Sequence, residues 1–227
     1  MKKVLSVALL AAMAGGSVSA NAYEAGDWIL RAGATTVAPN EDSESITIPT
    51  EPPTVLRGVE IDNDTQLGII PAYMITDNFA LELLAATPFS HDIDVKGTNI
   101  SAGSIKHLPP TLSLQWYPRG GKNGWQPYLG LGLNYTFIYD EEVDSDLEDA
   151  LGALIGAERV DLEVDDSFGF SAQAGVDIPL GEHWGINAGV WYIDIDTTAT
   201  IKTDVGNVKF DVDIDPWVYN IGIAYKF

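Results

Sequence analysis

Three histidines, His91, His107 and His183, are all the imidazoles in the chain, and Ser90, Ser101 and Ser104 lie near the first two. Acyl-transfer chemistry would need a nucleophile, a base and a group that orients the base. His183, however, falls in a short turn at the opposite end of the strands from the other two. The remaining Ser and His residues sit at loop boundaries, where both types are common. The chain is therefore read as a non-enzyme. A second chemistry-bearing group is acidic: Asp194, Asp196, Asp211, Asp213 and Asp215 share one strand parity. Oxygen ligands of this kind suit Ca²⁺ or Mg²⁺. No segment matches a defined calcium loop, so the expectation is a solvated acidic surface, with no metal or cofactor assigned. The third group is mixed in charge: Arg31, Glu82, Asp177 and Lys226 all fall on one face of their strands. Opposite charges buried together should pair, because an unpaired buried charge is costly, and a charged plug is expected from them.

These residues are positioned by strands, as the period-two alternation of apolar with small or polar residues indicates. Eight stretches carry it, at about 26–38, 64–75, 79–91, 106–118, 126–139, 167–179, 184–200 and 208–227. Each is near or above the ~9–11 residues that cross a bilayer as a tilted strand. The connections 76–78, 119–125 and 180–183 are short, whereas 39–63, 92–105 and 140–166 are long, and 201–207 is intermediate. Short turns at one end and long loops at the other are the signature of an outer-membrane barrel. The expected fold is all-β: an eight-stranded antiparallel transmembrane up-and-down β-barrel over residues 23–227.

The N-terminus agrees with export. Met1-Lys2-Lys3 precedes an apolar run from Val4 to Gly16, and Ala20-Asn21-Ala22 fits an A-x-A cleavage signal. A signal peptide spanning 1–22 is expected, with a cut after Ala20 or a retained anchor helix as alternatives. No later stretch is continuously apolar for the ~20 residues that a membrane helix needs. A closed barrel is then the remaining way to satisfy every backbone polar group in lipid. The chain has no Cys, so disulfides do not stabilise it outside the inner membrane. The net charge is −21, and without Lys2 and Lys3 it is −23, from 10 basic and 33 acidic side chains. That excludes the basic footprint of a nucleic-acid-binding protein.

Parity assigns the faces. Trp217, Tyr219, Ile221, Ile223, Tyr225 and Phe227 read as the lipid face of the last strand, aromatic at both ends and aliphatic between. Trp184, Ile186, Ala188, Val190 and Tyr192 do the same on the strand before it. A turn centred on Val205-Gly206 would pair Trp184 with Phe227 and Tyr192 with Tyr219. Inward parity holds Leu84, Trp191, Ile193, Ile195 and Val218 toward the long-loop end. Small and polar residues (Gly130, Gly132, Gly189, Gly222, Asn134, Asn187, Asn220) lie lower. An eight-stranded barrel is just wide enough for side chains, or for one small ligand, which excludes a wide aqueous pore. The five apolar residues are the expected ligand-binding lumen for a small hydrophobic solute, and a core packed without ligand is the alternative.

Pro88 and Pro109-Pro110 fall at similar heights on neighbouring strands if their hairpin turns near Asn99. Proline gives no N–H to a ladder, so a lateral seam is expected here, against the alternative of an ordinary bulge. A continuous ladder between 84–90 and 108–114 would exclude the seam. In the loop 140–166, Ser145 followed by Glu148 resembles a capping box, and Leu147, Ala150, Leu151, Leu154 and Ile155 recur at helical spacing. A short helix that covers the barrel mouth or rests on lipid is expected.

Five stretches resemble the OmpW family of outer-membrane proteins: Glu82-Leu-Leu-Ala-Ala-Thr-Pro-Phe89, Lys106-His-Leu-Pro-Pro-Thr111, Gln126-Pro-Tyr128 through Asn134-Tyr135, Trp191-Tyr-Ile-Asp-Ile-Asp-Thr-Thr198 and Asp215-Pro-Trp-Val218. Loops 39–63 and 140–166 carry no recognisable family pattern. The resemblance implies a monomeric barrel in the Gram-negative outer membrane, with a largely apolar lumen that passes small hydrophobic molecules. Its surroundings would be outer-membrane lipid and lipopolysaccharide. The ending Tyr225-Lys226-Phe227 resembles the signal read by the barrel-assembly machinery. A structural or surface-interaction barrel with a plugged core is the alternative function.

Overall fold

The structure, a computed structural model, describes residues 23–227; the expected signal segment 1–22 lies outside them. In chain order the strands begin with β1 (Trp28–Ala38) and four short ones: β2 (Asp42–Ser43), β3 (Ile46–Ile48), β4 (Thr54–Leu56) and β5 (Val59–Ile61). Then come β6 (Asp64–Thr76), β7 (Phe79–Ala86), β8 (Phe89–Val95), β9 (Ser101–Leu108), β10 (Thr111–Trp116) and β11 (Gln126–Val143). Helix α1 (Ser145–Ile155) precedes β12 (Val160–Val164), β13 (Ser167–Pro179), β14 (Trp184–Ile193), β15 (Asp196–Thr203), β16 (Gly206–Asp213) and β17 (Trp217–Lys226).

Eight strands close on themselves in the order β10-β7-β6-β1-β17-β14-β13-β11, with β11 pairing back onto β10, all antiparallel. The outward parity is apolar and exposed: Leu131 is 73 % open and Ile221 65 %, with Leu81, Leu112 and Leu129 alongside. So large a continuous apolar surface on a folded chain marks a membrane-facing band. Aromatic rings bound it at both ends. Trp28 and Tyr73 (5.0 Å between centroids) and Trp184 and Tyr225 (4.7 Å) form the lower girdle, while Tyr192 and Trp217 (5.4 Å) belong to the upper one. No helix among the described residues is long and apolar enough to cross a membrane.

The expected faces hold, but the last hairpin is shifted by two residues. Trp184 pairs with Tyr225 and Tyr192 with Trp217. The cause lies in the turn: Thr203 pairs with Gly206, and the Thr203 hydroxyl accepts from the Gly206 N–H and donates to its carbonyl, so Asp204-Val205 forms the corner.

The long loops are largely structured; the expected helix in 140–166 is present, but their short strands were not revealed by the sequence pattern. Two small sheets stand on the barrel rim. In one, β5, β8, β9 and the end of β11 pair in sequence; in the other, β12, β15, β16 and β2 do so. Their inner faces, the hairpin β3–β4 and helix α1 enclose a second apolar core that includes Ile46, Ile61, Ile105, Leu151, Ile201 and Phe210. Helix α1 buries Leu147 and Leu151 in that core. Its N-cap is Asp144, which accepts from the Asp146 N–H at 2.9 Å, and not Ser145 as the capping-box spacing implies. Gly156, at φ 74°, ends the helix in the left-handed conformation that glycine adopts without penalty.

Candidate functional site: a stacked lumen with an interrupted wall

The barrel interior is layered. At the short-turn end Tyr23 packs edge-on against Tyr117 (5.7 Å between centroids), in a cluster with Ile29, Met74 and Tyr128. Above it Arg31, fully buried, is the centre of a polar layer. Its Nε and Nη2 donate to the two oxygens of Asp177 (3.0 and 2.8 Å), its Nη1 to Glu82 Oε2 (2.5 Å), and Nη2 also to the Tyr117 hydroxyl (2.6 Å). The remaining carboxylate lone pairs are filled by amides. Gln115 and Gln173 donate to Glu82 (2.6 and 3.0 Å), and Asn187 donates to Asp177 (2.8 Å). Asn220 and Thr35 extend the chain across the lumen. A buried network in which the ionised groups are all partnered rigidifies its layer. Lys226 is not part of it. It shares the inward parity but lies at the rim, where its Nζ reaches Asp27 at 3.5 Å.

The next layer is apolar. Leu84, Trp191, Ile193, Ile195 and Val218, the five residues expected to line a ligand site, do meet in one cluster with Val37, Ile70 and Phe89. They form a packed layer: Trp191 and Ile193 are 0 % exposed, and Leu84, Ile195 and Val218 are buried with them. The small residues leave no channel either. A Cβ on Gly189 would lie 2.6 Å from the Trp191 ring, and one on Gly130 2.7 Å from the Gln173 side chain. Glycine here admits the large inward side chains that fill the bore.

Free space appears one storey higher. A small cavity of about 20 Å³ is bounded by Val37, Ile195, Thr136 and the imidazoles of His91 and His107. Above it, inside the second core, is a chamber of about 50 Å³ whose lining is apolar except for Thr197. The two share Ile61, Ile105 and Ile214 as a partition.

The wall is interrupted beside the lower cavity. The β7–β10 ladder ends at Leu84 opposite Thr111, and the β8–β9 ladder begins at Phe89 opposite His107. Four residues, Ala85 to Pro88, therefore face three, Leu108 to Pro110, with no ladder pairs between them. The outer neighbours continue: Ala86 pairs with Gly68, the Thr87 N–H donates to the Leu67 carbonyl (3.0 Å), and the Tyr135 N–H donates to the Pro110 carbonyl (3.2 Å). The interruption carries Pro88, Pro109 and Pro110, and the register across it changes by one residue, as at a bulge. Phe89, 1 % exposed, is the first paired residue above the gap and stacks on His107 (5.5 Å), which lines the cavity.

His91 and His107 lie above the membrane band, on strands whose outward face carries Ser90 and Lys106; Lys106 pairs with Asp140 at 2.5 Å. Their Nε2 atoms are 2.8 Å apart, and His91 Nδ1 is 2.5 Å from the Asp62 carbonyl oxygen. Burial, then the neighbouring His91, pushes the His107 imidazole down to about 3, and burial also lowers His91. A base that stays neutral when folded but protonates when unfolded makes stability fall as pH falls. The stabilisation is complete above pH 6.5 and is lost as pH drops from 6.5 toward about 3. Hydrogen exchange of β8 and β9 should report the weakening, at most about 1.4 kcal/mol per pH unit. A His107→Phe variant should flatten the slope, and an unchanged slope would contradict this assignment.

The two imidazoles bond to each other and, through His91, to the Asp62 carbonyl. Beside the upper girdle, Asp194, Asp196 and Asp215 bring carboxylate oxygens within 4.8 Å of one another. Asp215 accepts from the Tyr192 hydroxyl (2.7 Å) and the Ile195 N–H (3.2 Å). Partial burial and the neighbouring Asp194, Asp213 and Asp215 raise the Asp196 carboxyl. Sequence reasoning had the three aspartates on one face but assigned no role to Phe89 or to the paired imidazoles. Their inward parity (Phe89, His91, Ile93 and Ile105, His107) was the available signal.

Comparison with known proteins agrees with this architecture. The OmpW family model matches residues 24–227. Outer membrane protein W of Vibrio cholerae is 40 % identical over 228 residues, covering 99 % of this chain and 98 % of that protein. Outer membrane protein W of Escherichia coli is 41 % identical over the full length of both. The crystal structure of the outer membrane protein OprG from Pseudomonas aeruginosa superposes with a TM-score of 0.80 at 44 % identity, covering 92 % of this chain and 99 % of that one. An eight-stranded barrel with a lipid-facing apolar band and relatives of this similarity has one reading: the chain is an outer-membrane protein of the OmpW family.

Proposed function

We propose that the protein admits small hydrophobic molecules from the cell surface and releases them sideways into the outer leaflet. The observation that carries the reading is the interrupted ladder between Ala85–Pro88 and Leu108–Pro110, adjoining Phe89 and His107 beside the lower cavity and the chamber above it. Straight passage is opposed by two filled layers, the apolar cluster around Trp191 and the Arg31 network beneath it. In this reading a solute that enters the upper chamber leaves through the seam.

The prolines make such a gap tolerable. In lipid an unpartnered backbone N–H is costly, but Pro88, Pro109 and Pro110 have none to leave unpaired. The apolar chamber supplies the entry step, because burying hydrocarbon there stabilises the solute by roughly 0.8 kcal/mol per methylene. Its volume holds only a few heavy atoms, so the isoleucine partition and Phe89 must move aside during transit. In this reading the five lumen residues Leu84, Trp191, Ile193, Ile195 and Val218 form the apolar floor that turns the solute, and Arg31, Glu82 and Asp177 seal the barrel below. The protein acts as a monomer among outer-membrane lipid and lipopolysaccharide, and Tyr225 and Phe227, stacked edge-on at 4.9 Å, are offered to the barrel-assembly machinery.

Phe89 provides the test. Phe89→Ala removes the ring that borders the seam and should raise initial uptake of a hydrophobic solute several-fold, while costing about 3–5 kcal/mol of stability. Phe89→Trp should lower uptake. A purely structural barrel with a plugged core expects equal uptake from wild type and both variants, once each is shown to be inserted.

A further inference from the structure

The two imidazoles in the wall of the lower cavity are not explained by passage of hydrocarbon alone. An apolar route gains nothing from buried polar rings, which lose water without a return unless their nitrogens are bonded. The hydrogen-bond pattern fixes their tautomers. The Asp62 carbonyl can only accept, so His91 Nδ1 carries the proton and donates to it. His91 Nε2 is then bare and accepts from His107 Nε2–H. That leaves His107 Nδ1 as an unprotonated acceptor, and it is the one nitrogen of the pair without a partner. His107 is 6 % exposed and lines the cavity. The stacking of Phe89, His91 and His107, with centroids 4.8 to 6.4 Å apart, holds the ring in place.

We propose that His107 Nδ1 is a docking point for the hydroxyl of an otherwise apolar solute, such as a medium-chain alcohol, whose hydrocarbon tail occupies the apolar chamber above. The inference rests on the transport reading for its route and names the chemical class that the route selects. A cavity of about 20 Å³ has room for one water or one hydroxyl. An alcohol entering it donates to His107 Nδ1 and reproduces the bond that a water there would make. An alkane or ether displaces the water and leaves the nitrogen unpaired. A charged ammonium group is selected against, because the cavity lining contains no carboxylate to pair with it. Ile61, Ile105 and Ile214 border both the hydroxyl site and the chamber for the tail.

The test compares octan-1-ol with its isomer methyl heptyl ether, which has the same number of heavy atoms and no donor. Full-length mature protein is reconstituted in lipid vesicles, with histidine nitrogens labelled for NMR, and initial uptake of both compounds is measured in parallel. Octanol should move the His107 Nδ1 resonance and the ether should not. Uptake should favour octanol over the ether by about tenfold, the factor for one hydrogen bond of ordinary strength. In His107→Phe, which keeps a ring stacked on Phe89, that preference should fall to about one. The wild-type comparison carries the test by itself if the variant does not insert. Equal uptake of both compounds with no movement of the resonance overturns the hydroxyl site and leaves the transport reading standing. A moved resonance without uptake of either compound supports the site and overturns the transport reading.

Discussion

Replacing Arg31 with methionine should destabilise the barrel by about 3–5 kcal/mol, the usual cost of removing one partner from a buried charge network. The reason is specific to this layer. Arg31 makes four hydrogen bonds to Asp177, Glu82 and Tyr117, and is the only cation in the network. Without it two carboxylates remain in a bore sealed by Tyr23 below and by the Trp191 cluster above. Gln115, Gln173 and Asn187 would still donate to them, but amides do not offset the charge. Removing all three charges, as Arg31→Met with Glu82→Gln and Asp177→Asn, should restore much of the loss, since neutral side chains of similar volume can replace a buried ion network. Urea unfolding in micelles measures both. A single variant as stable as wild type would mean that the network contributes nothing to holding the floor.

The floor was also the part of the interior most legible in the sequence. In a barrel each strand residue faces either lipid or lumen, so parity alone placed Arg31, Glu82 and Asp177 together. Parity carries no height, which is why Lys226 was grouped with them although it sits at the rim beside Asp27. Height needs register, and register depends on one turn. Reading the last hairpin around Val205-Gly206 in place of Asp204-Val205 displaced every pair by two while leaving all the faces correct.

The upper storey was less legible for a different reason. Ile46-Thr-Ile48, Val59-Glu-Ile61 and Val160-Asp-Leu-Glu-Val164 alternate as strands do, but over three to five residues. Strands this short are held by the core they share, and periodicity over so few residues does not distinguish them from loop. The apolar site was accordingly expected at Trp191, inside the membrane, whereas the free volume lies above it. Trp191 fills the space because Gly189 has no Cβ, a relation between neighbours in space that parity does not express. The break in the ladder, by contrast, was readable from composition, since three prolines in paired strands leave few donors for a ladder.

Closing that seam should have the largest effect on transport. Ala85 and Pro110 lie one step beyond the last paired residues, Leu84 and Thr111, and share the outward parity. Cysteines at both positions would be the only ones in the chain, and a disulfide between facing strand residues is within the usual span of about 4.4–6.8 Å between Cα atoms. The oxidised protein keeps the chamber, the imidazole pair and the Arg31 floor, and loses only the freedom of the two strands to part. If gated lateral release is rate-limiting, the bridge should lower uptake by about an order of magnitude or more.

The decisive measurement is therefore initial uptake of a hydrophobic solute by the Ala85→Cys/Pro110→Cys protein, inserted in the outer membrane, before and after reduction. Release through the seam predicts low uptake in the oxidised form and recovery to the wild-type rate when the bridge is reduced. Uptake at the wild-type rate with the bridge intact would contradict it, and would place the exit elsewhere in the barrel wall.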